Sequence, residues 1–318
     1  MSTNLAKTRR VAAVDIGSNT VHMVIVDIDA VHQFTVVERQ VEMVRLGADI
    51  SALGTIGEER AGRAEATLRA MAEHATHMGA IARLGLATEG VRAASNADAM
   101  LARFSAAWGE PIALVTGMEE AALTFWGATS RVQDHALRLG VGDLGGGSCE
   151  LVVGAIEKIA YATSLPIGSG KLVDLVHPSD PPTLNEVQQL RALADERLHA
   201  VPSPVPALDG MIAVGGTATT LARVLGAADI LHMADLARAE TLLCSTPSAT
   251  LAAQTGTDGE RVRILIGGVV AWQAILARMG CGQMTVSECG VREGAIIAWA
   301  HAGDDWRMYV QAAVAGLT

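Results

Sequence analysis

Short apolar, β-branched runs alternate along this chain with longer stretches of helical period. Residues 11–29 read as two strands about a tight turn, and Val31 to Arg45 alternate as a third strand that ends at Arg45-Leu46-Gly47. Ile56, Ala61, Ala64, Leu68, Met71 and Ala75 fall near helical spacing, which predicts a helix from about Gly57 to Met78. Ala82 to Thr88 reads as a strand, Val91 to Ala107 as one helix, and Ile112 to Val115 as a short strand. A helix then starts at Met118, with Glu119 and Glu120 in its first turn where the helix dipole favours carboxylates. Farther on, Leu165 to Lys171 is a turn opening a helix, Thr183 caps a helix through Leu198, and Val201 to Pro206 is a proline-rich linker. Met211 to Val214 is a strand that enters a helix through Gly215-Gly216. Helices near Ser248–Gln254 and Arg261–Met279, a strand at Met284–Ser287 and a final helix opening at Val291 complete the chain. Hairpins followed by αβ units, occurring twice, predict an α/β protein of two similar halves with a cleft.

The stretch Asp143-Leu144-Gly145-Gly146-Gly147-Ser148-Cys149-Glu150 interrupts this pattern. Consecutive glycines allow a tight turn and close approach to a ligand. A nucleotide-binding glycine loop would be followed by a helix. Here Leu151-Val152-Val153-Gly154 follows, so the glycines sit at a hairpin tip, where backbone N–H groups can form an anion nest. Asp143 and Glu150 bracket the tip, and carboxylates beside a phosphate suit a bridging Mg²⁺. An ordinary glycine-rich hairpin would look the same in isolation. The pattern, however, occurs twice. Asp15-Ile16-Gly17-Ser18-Asn19-Thr20-Val21-His22 aligns without gaps, Asp15 on Asp143, Gly17 on Gly145, Thr20 on Ser148 and His22 on Glu150. The repetition points to a duplicated domain, each half offering one loop to a phosphate. Gly215-Gly216, which does precede a helix, fits either a phosphate contact or close helix–strand packing.

Composition narrows the function classes. The 318 residues are long enough for two domains, and 50% of them are apolar, so a full core is expected. No apolar run reaches transmembrane length, and the start lacks a signal-peptide core, so a cytoplasmic protein without a membrane partner is expected. The formal net charge of −10 and the scarcity of aromatics argue against nucleic acid as a partner. The four cysteines, Cys149, Cys244, Cys281 and Cys289, form no C-x-x-C pair, which fits reduced thiols rather than zinc or a disulfide framework. Cys149 reads as a small apolar filler, not a nucleophile.

In order along the chain stand Asp15-Ile-Gly-Ser-Asn-Thr20, Arg45-Leu-Gly47, Ala87-Thr88 with Val91-Arg92 and Asn96, Gly117-Met-Glu-Glu-Ala121, Asp143-Leu-Gly-Gly-Gly-Ser148 with Glu150, Leu165-Pro-Ile-Gly168, Val214-Gly-Gly-Thr217 and Arg292-Glu-Gly294. Together these resemble the exopolyphosphatase / guanosine pentaphosphate phosphatase family, in its short form, over nearly the whole chain. The resemblance implies two ribonuclease H-like domains of the actin / sugar kinase / Hsp70 type with an interdomain cleft. The first would span 1–125 with a C-terminal helix at about 303–318, and the second 126–302. It implies a Mg²⁺-dependent phosphohydrolase acting on inorganic polyphosphate or guanosine pentaphosphate, an alarmone of the stringent response, and a homodimer.

By the same resemblance, Glu120 would be the general base and Glu150 would orient the attacking water. Asp143, with Asp15, would hold the metal. Gly145, Gly146, Gly147 and Ser148 would cradle the terminal phosphate, Ser18, Asn19 and Thr20 would face it from the other half, and Arg92 would contact a phosphate oxygen. Phosphoryl transfer asks for this kind of positioning and charge neutralisation, with little covalent work. Several positions depart from the family pattern and bear on substrate preference. His22 and Lys171 stand where arginine is common, Glu89-Gly90 where a small pair is common, and Arg263 where aspartate is common. A helical C-terminal region that longer members carry is not in this sequence, and a preference for short chains is expected. Two rival readings share the fold: an ATPase or kinase, and a non-catalytic alarmone-binding regulator.

Overall fold

The computed structural model describes residues 8–202, 207–227 and 229–317, so residues 203–206 of the expected linker lie outside it. The chain divides into two compact units, one reaching to Ser130 and resuming at Val291–Gly316, the other Arg131–Gly290. The first unit therefore takes in the whole of the helix after Gly117 and resumes well before position 303.

The first unit runs β1 (Arg9–Ile16), β2 (Thr20–Ile28), β3 (Phe34–Met43), α1 (Leu46–Leu53), α2 (Glu58–His77), β4 (Ala82–Ala87), α3 (Glu89–Arg92), α4 (Ala97–Trp108), β5 (Ile112–Leu114) and α5 (Gly117–Thr129). Its sheet has the order β3-β2-β1-β4-β5. The neighbours β1–β2 and β2–β3 are antiparallel, whereas β1–β4 and β4–β5 are parallel. Val11 to Val14 are wholly buried, as a central strand covered on both faces requires. The edge strand β3 has no buried position, and Glu38, Arg39 and Glu42 keep that edge charged. Every position of the predicted apolar stripe from Ile56 to Ala75 is buried, packed with Phe104 and Trp108 of α4.

The second unit runs β6 (Leu139–Leu144), β7 (Cys149–Ala155), β8 (Lys158–Leu165), α6 (Ser169–Val176), α7 (Leu184–Leu198), β9 (Gly210–Val214), α8 (Gly216–Leu225), β10 (Ile230–His232), α9 (Met233–Ser245), α10 (Ser248–Thr255), α11 (Gly259–Arg263), α12 (Leu265–Met279) and β11 (Gln283–Val286). The chain then returns to the first unit as α13 (Val291–Ala302), a 3₁₀ turn (Gly303–Asp305) and α14 (Trp306–Val314). Read from its other edge, the second sheet is β8-β7-β6-β9-β11-β10. Its first five strands pair in the same senses as the first sheet. In the gapless alignment of the two hairpins even the register shifts coincide, at Ile25/Val26 and at Val153/Gly154. The duplication is thus a property of the backbone, and each unit has the ribonuclease H-like architecture of the actin type. α12 is buried nearly all round. Trp272 on it packs against Gly142 of β6, where any Cβ would lie 2.8 Å from the indole ring.

Three expectations about elements change. The helix expected over Val91–Ala107 is two helices, because Asn96 leaves the helical path to exchange hydrogen bonds with both backbone groups of Ile56. The helix expected from Arg261 breaks at Ile264. The segment after Arg45 is a short helix, and β8, β10 and α9 are additional elements. No helix among the described residues is long and apolar enough to cross a membrane.

Candidate functional site

In the second unit the hairpin tip is held by its carbonyls. Gly145 N–H donates to Ser148 O at 3.0 Å and closes the turn. The Gly145 carbonyl accepts from Ser169 N at 2.9 Å and from Ser169 Oγ at 3.2 Å. The Gly146 carbonyl accepts from Lys171 N at 2.9 Å, and the Gly147 carbonyl from Gly168 N at 3.3 Å. The start of α6 therefore pins the loop from one side. Among the described residues, the N–H groups of Gly146, Gly147 and Ser148 donate to no backbone carbonyl. Successive N–H groups without carbonyl acceptors in a turn have the chemistry to bind an anion.

The first unit repeats the device. Gly17 N–H donates to Thr20 O at 3.0 Å, the Ser18 carbonyl accepts from Gly47 N at 2.7 Å, and the Asn19 carbonyl accepts from Val44 and Arg45 N–H. The chain here reaches α1 through Arg45, a non-glycine residue in the left-handed region at φ 56°. The family resemblance implies that Ser18, Asn19 and Thr20 face a phosphate. The structure uses the Ser18 hydroxyl otherwise, since Oγ donates to Glu89 Oε2 at 2.9 Å. What remains for an anion at Ser18 is the main chain, with a carboxylate alongside. Gly90 lies flat on this loop, because a Cβ there would come 2.5 Å from Ser18 N and Cα.

The carboxylates occupy corresponding places. Asp15 pairs across its hairpin with His22, and Asp143 with Glu150. The Glu150 carboxylate is buried and accepts from Ser164 Oγ at 2.7 Å. Gly215, at φ 93°, packs so closely on the Asp143 carboxylate that no Cβ fits between them. Close packing is therefore present at that glycine turn, and the Arg261 guanidinium lies over its neighbour Gly216. Cys149 is fully buried. Burial above all, with Glu150 and Asp143 beside it, pushes its thiol well above the usual range, so it stays protonated.

Glu120 and Arg92 are brought together in the first unit. Arg92 Nη1 donates to the Val115 carbonyl at 2.6 Å and lies 3.4 Å from Glu120 Oε2. Glu120 is buried at 7% exposure in the first turn of α5. Glu119 faces back over the helix start. It accepts from Thr116 N at 2.6 Å, while Thr116 Oγ1 accepts from Glu119 N at 3.2 Å, the two bonds of a capping box. Two of the positions that depart from the family pattern make contacts of their own: the Lys171 N–H holds the glycine loop, and Arg263 binds the carbonyls of Pro178 and Ser179.

No group of three or more His, Cys, Asp or Glu among the described residues forms a ready metal cage. Mg²⁺ rarely uses one. It is held through one or two carboxylates, several waters and substrate phosphate oxygens, and Asp143 offers hard oxygen donors of that kind. Ser164 is not singled out from sequence: it reaches Glu150 as its cross-strand neighbour on β8, a pairing that no local spacing marks. Glu89 and Gly215 stand out in the sequence, but their contacts with Ser18 and Asp143 join distant elements and are not legible there.

The Ppx/GppA phosphatase family matches residues 24–302. Exopolyphosphatase 2 of Mycobacterium tuberculosis is 31% identical over 92% of this chain and 98% of its own. Exopolyphosphatase 1 of Mycobacterium leprae is 28% identical over 96% and 94%. Among solved structures, an exopolyphosphatase-like protein superposes with a TM-score of 0.83 at 26% identity, covering 92% of this chain and 98% of that one. The Ppx/GppA family member of Aquifex aeolicus gives 0.79 at 24% identity over 94% and 99%, a likeness of fold. With the duplicated loops, the Glu120 helix and these matches in hand, the chain belongs to the Ppx/GppA phosphatase family.

Proposed function

We propose that this protein is a phosphohydrolase that removes the terminal phosphate of inorganic polyphosphate, with guanosine pentaphosphate as a further candidate substrate. The observation that carries the reading is the pinned loop 145–148, whose carbonyls are engaged by α6 while three successive N–H groups have no carbonyl acceptor among the described residues. These donors suit the oxygens of a terminal phosphoryl group, where charge spreads in the transition state. Ser148 adds its hydroxyl, and Asn19 and Thr20 add polar groups from the first loop. Glu120 takes the proton of the attacking water, and Glu150, fixed by Ser164, orients that water. Arg92, anchored on the Val115 carbonyl, neutralises a phosphate oxygen beside Glu120. Mg²⁺ held by Asp143, with Asp15, would neutralise the phosphate charge.

The reading is tested by initial phosphate release from polyphosphates of several lengths, from guanosine pentaphosphate and from ATP as control. Polyphosphate should be cleaved and ATP spared. Phosphate release from ATP alone would favour a same-fold ATPase, and no release from any of the three would favour a regulator. The net charge of −10 adds an expectation about length. Outside the site a long polyanion meets net repulsion, softened by screening beyond about 8 Å at physiological salt. At a fixed concentration of chain ends, kcat/KM should be highest for short chains. A steady rise into long chains would mean a basic track, for example one assembled across a homodimer.

Asp143→Asn should raise the Mg²⁺ concentration needed for half-maximal activity. Losing even an outer-shell partner costs a metal site about 10–100-fold in affinity, so loss of the carboxylate itself should cost at least about tenfold. Coincident Mg²⁺ activation curves for the two proteins would remove Asp143 from the metal's ligands.

A further inference from the structure

The last two helices grip the helix that carries Glu120. Arg307 of α14 forks over the β5–α5 turn: Nη2 donates to the Leu114 carbonyl at 2.7 Å and Nε to Glu119 Oε1 at 3.1 Å. One turn along α14, Gln311 Nε2 donates to the same Glu119 oxygen at 2.9 Å. Glu119 is 2% exposed, and its carboxylate also closes the capping box with Thr116. Burial pushes the Glu119 carboxyl up. Arg307, the Thr116 N–H and Gln311 outweigh burial and hold it below the ordinary range, so it stays an anion fixed on all sides. A second grip lies one helical turn beyond Glu120. A Cβ on Gly294 of α13 would collide with the Leu123 carbonyl, so the two helix backbones touch there. The wholly buried Glu293 anchors this end of α13 by its ion pair with Arg39 of β3. Glu120 thus stands between two fixed points on its own helix, Glu119 and Leu123. On the other side of the same turn, Arg92 holds the Val115 carbonyl.

We propose that Arg307 and Gln311 are positioning residues for the reaction: by clamping Glu119 and the Leu114 carbonyl they set the rotation of the first turn of α5, and with it the aim of the Glu120 carboxylate. The inference rests on Glu120 being the general base. A general base works only within hydrogen-bond reach of its water, so a small rotation of the turn costs turnover without costing ground-state phosphate binding, which the glycine loop supplies.

The experiment compares Arg307→Ala, Arg307→Lys and Gln311→Ala with Glu120→Gln, reading kcat and KM together with amide hydrogen exchange. Arg307→Ala should lower kcat at least about tenfold with KM changed less than about threefold. Exchange at Val115 to Leu123 should quicken while the second unit keeps its protection. Arg307→Lys, which can still reach one acceptor, should recover part of kcat. If Arg307→Ala does not fold, Gln311→Ala carries the same readouts with a smaller loss. The proposal is overturned if these variants lose thermal stability but keep kcat, or if kcat falls with no change in exchange on α5. A Glu120→Gln protein of normal turnover would instead remove the base assignment itself, which separates the two failures.

Discussion

Glu120→Gln should fold normally, bind polyphosphate, and turn it over about a hundredfold more slowly or worse, the scale on which a general base contributes. Glutamine keeps the shape of the side chain and an oxygen that can lie 3.4 Å from Arg92 Nη1, as Glu120 Oε2 does. It cannot accept a proton from water. The substitution therefore removes the chemistry and leaves the packing of a residue that is 7% exposed. Substrate affinity should stay near wild type because the pinned loop of the second unit is untouched. The decisive measurement is single-turnover phosphate release at saturating substrate. Near wild-type turnover would exclude Glu120 as the base and turn attention to Glu150, whose Oε1 is already occupied by Ser164.

The parts of this molecule that were legible in the sequence are those whose signal is local. The paired hairpins show themselves because one Asp-apolar-Gly-x-x-Ser/Thr pattern occurs twice and because the strands around it are continuous apolar runs. Thr183 was readable as a cap, and the structure adds Glu186 as the reciprocal partner of a capping box. The long helix over Glu58–His77 follows directly from its stripe.

What could not be read joins residues far apart. Ser18 and Glu89 meet across 71 positions, so the sequence shows a hydroxyl in a loop and an acid before a helix, but not that one occupies the other. Helix α1 begins at an arginine in the left-handed region, a conformation that residue type alone does not announce. The role of Glu119 was half visible. Its place in the first turn predicts capping, whereas the grip of Arg307 and Gln311 spans most of the chain. The repeat itself is more exact in backbone than in sequence. Matching register shifts at Ile25/Val26 and Val153/Gly154 persist where the residues have diverged.

The backbone contact between α6 and the glycine loop leads to the second large effect. Gly168→Ala should lower kcat/KM by about a hundredfold or more and destabilise the protein by about 1–3 kcal/mol, the usual range for forcing an extra methyl into a packed site. Gly168 has φ −55° and ψ 148°, which any residue adopts, so alanine brings no torsional strain. The cost is space alone. The new Cβ would meet the Gly146 carbonyl carbon and oxygen and the Gly147 carbonyl carbon, all within the 3.0 Å that real Cβ atoms keep clear. These are backbone atoms with no rotamer to yield, so either the loop opens or the start of α6 retreats. Both movements break the bonds from Gly168, Ser169 and Lys171 N–H that hold the three glycine carbonyls. The free N–H row then loses its fixed direction, and a displacement on the order of 1 Å at a phosphate site costs about two orders of magnitude. Gly62→Ala is the matched control. It lies within α2 with nothing near its would-be Cβ, and should leave activity unchanged while stabilising the helix by about 0.5–1 kcal/mol. Thermal melts and kcat/KM on polyphosphate for the two variants decide the matter, and a Gly168→Ala protein of wild-type kcat/KM would show that the pinned loop does not hold the substrate.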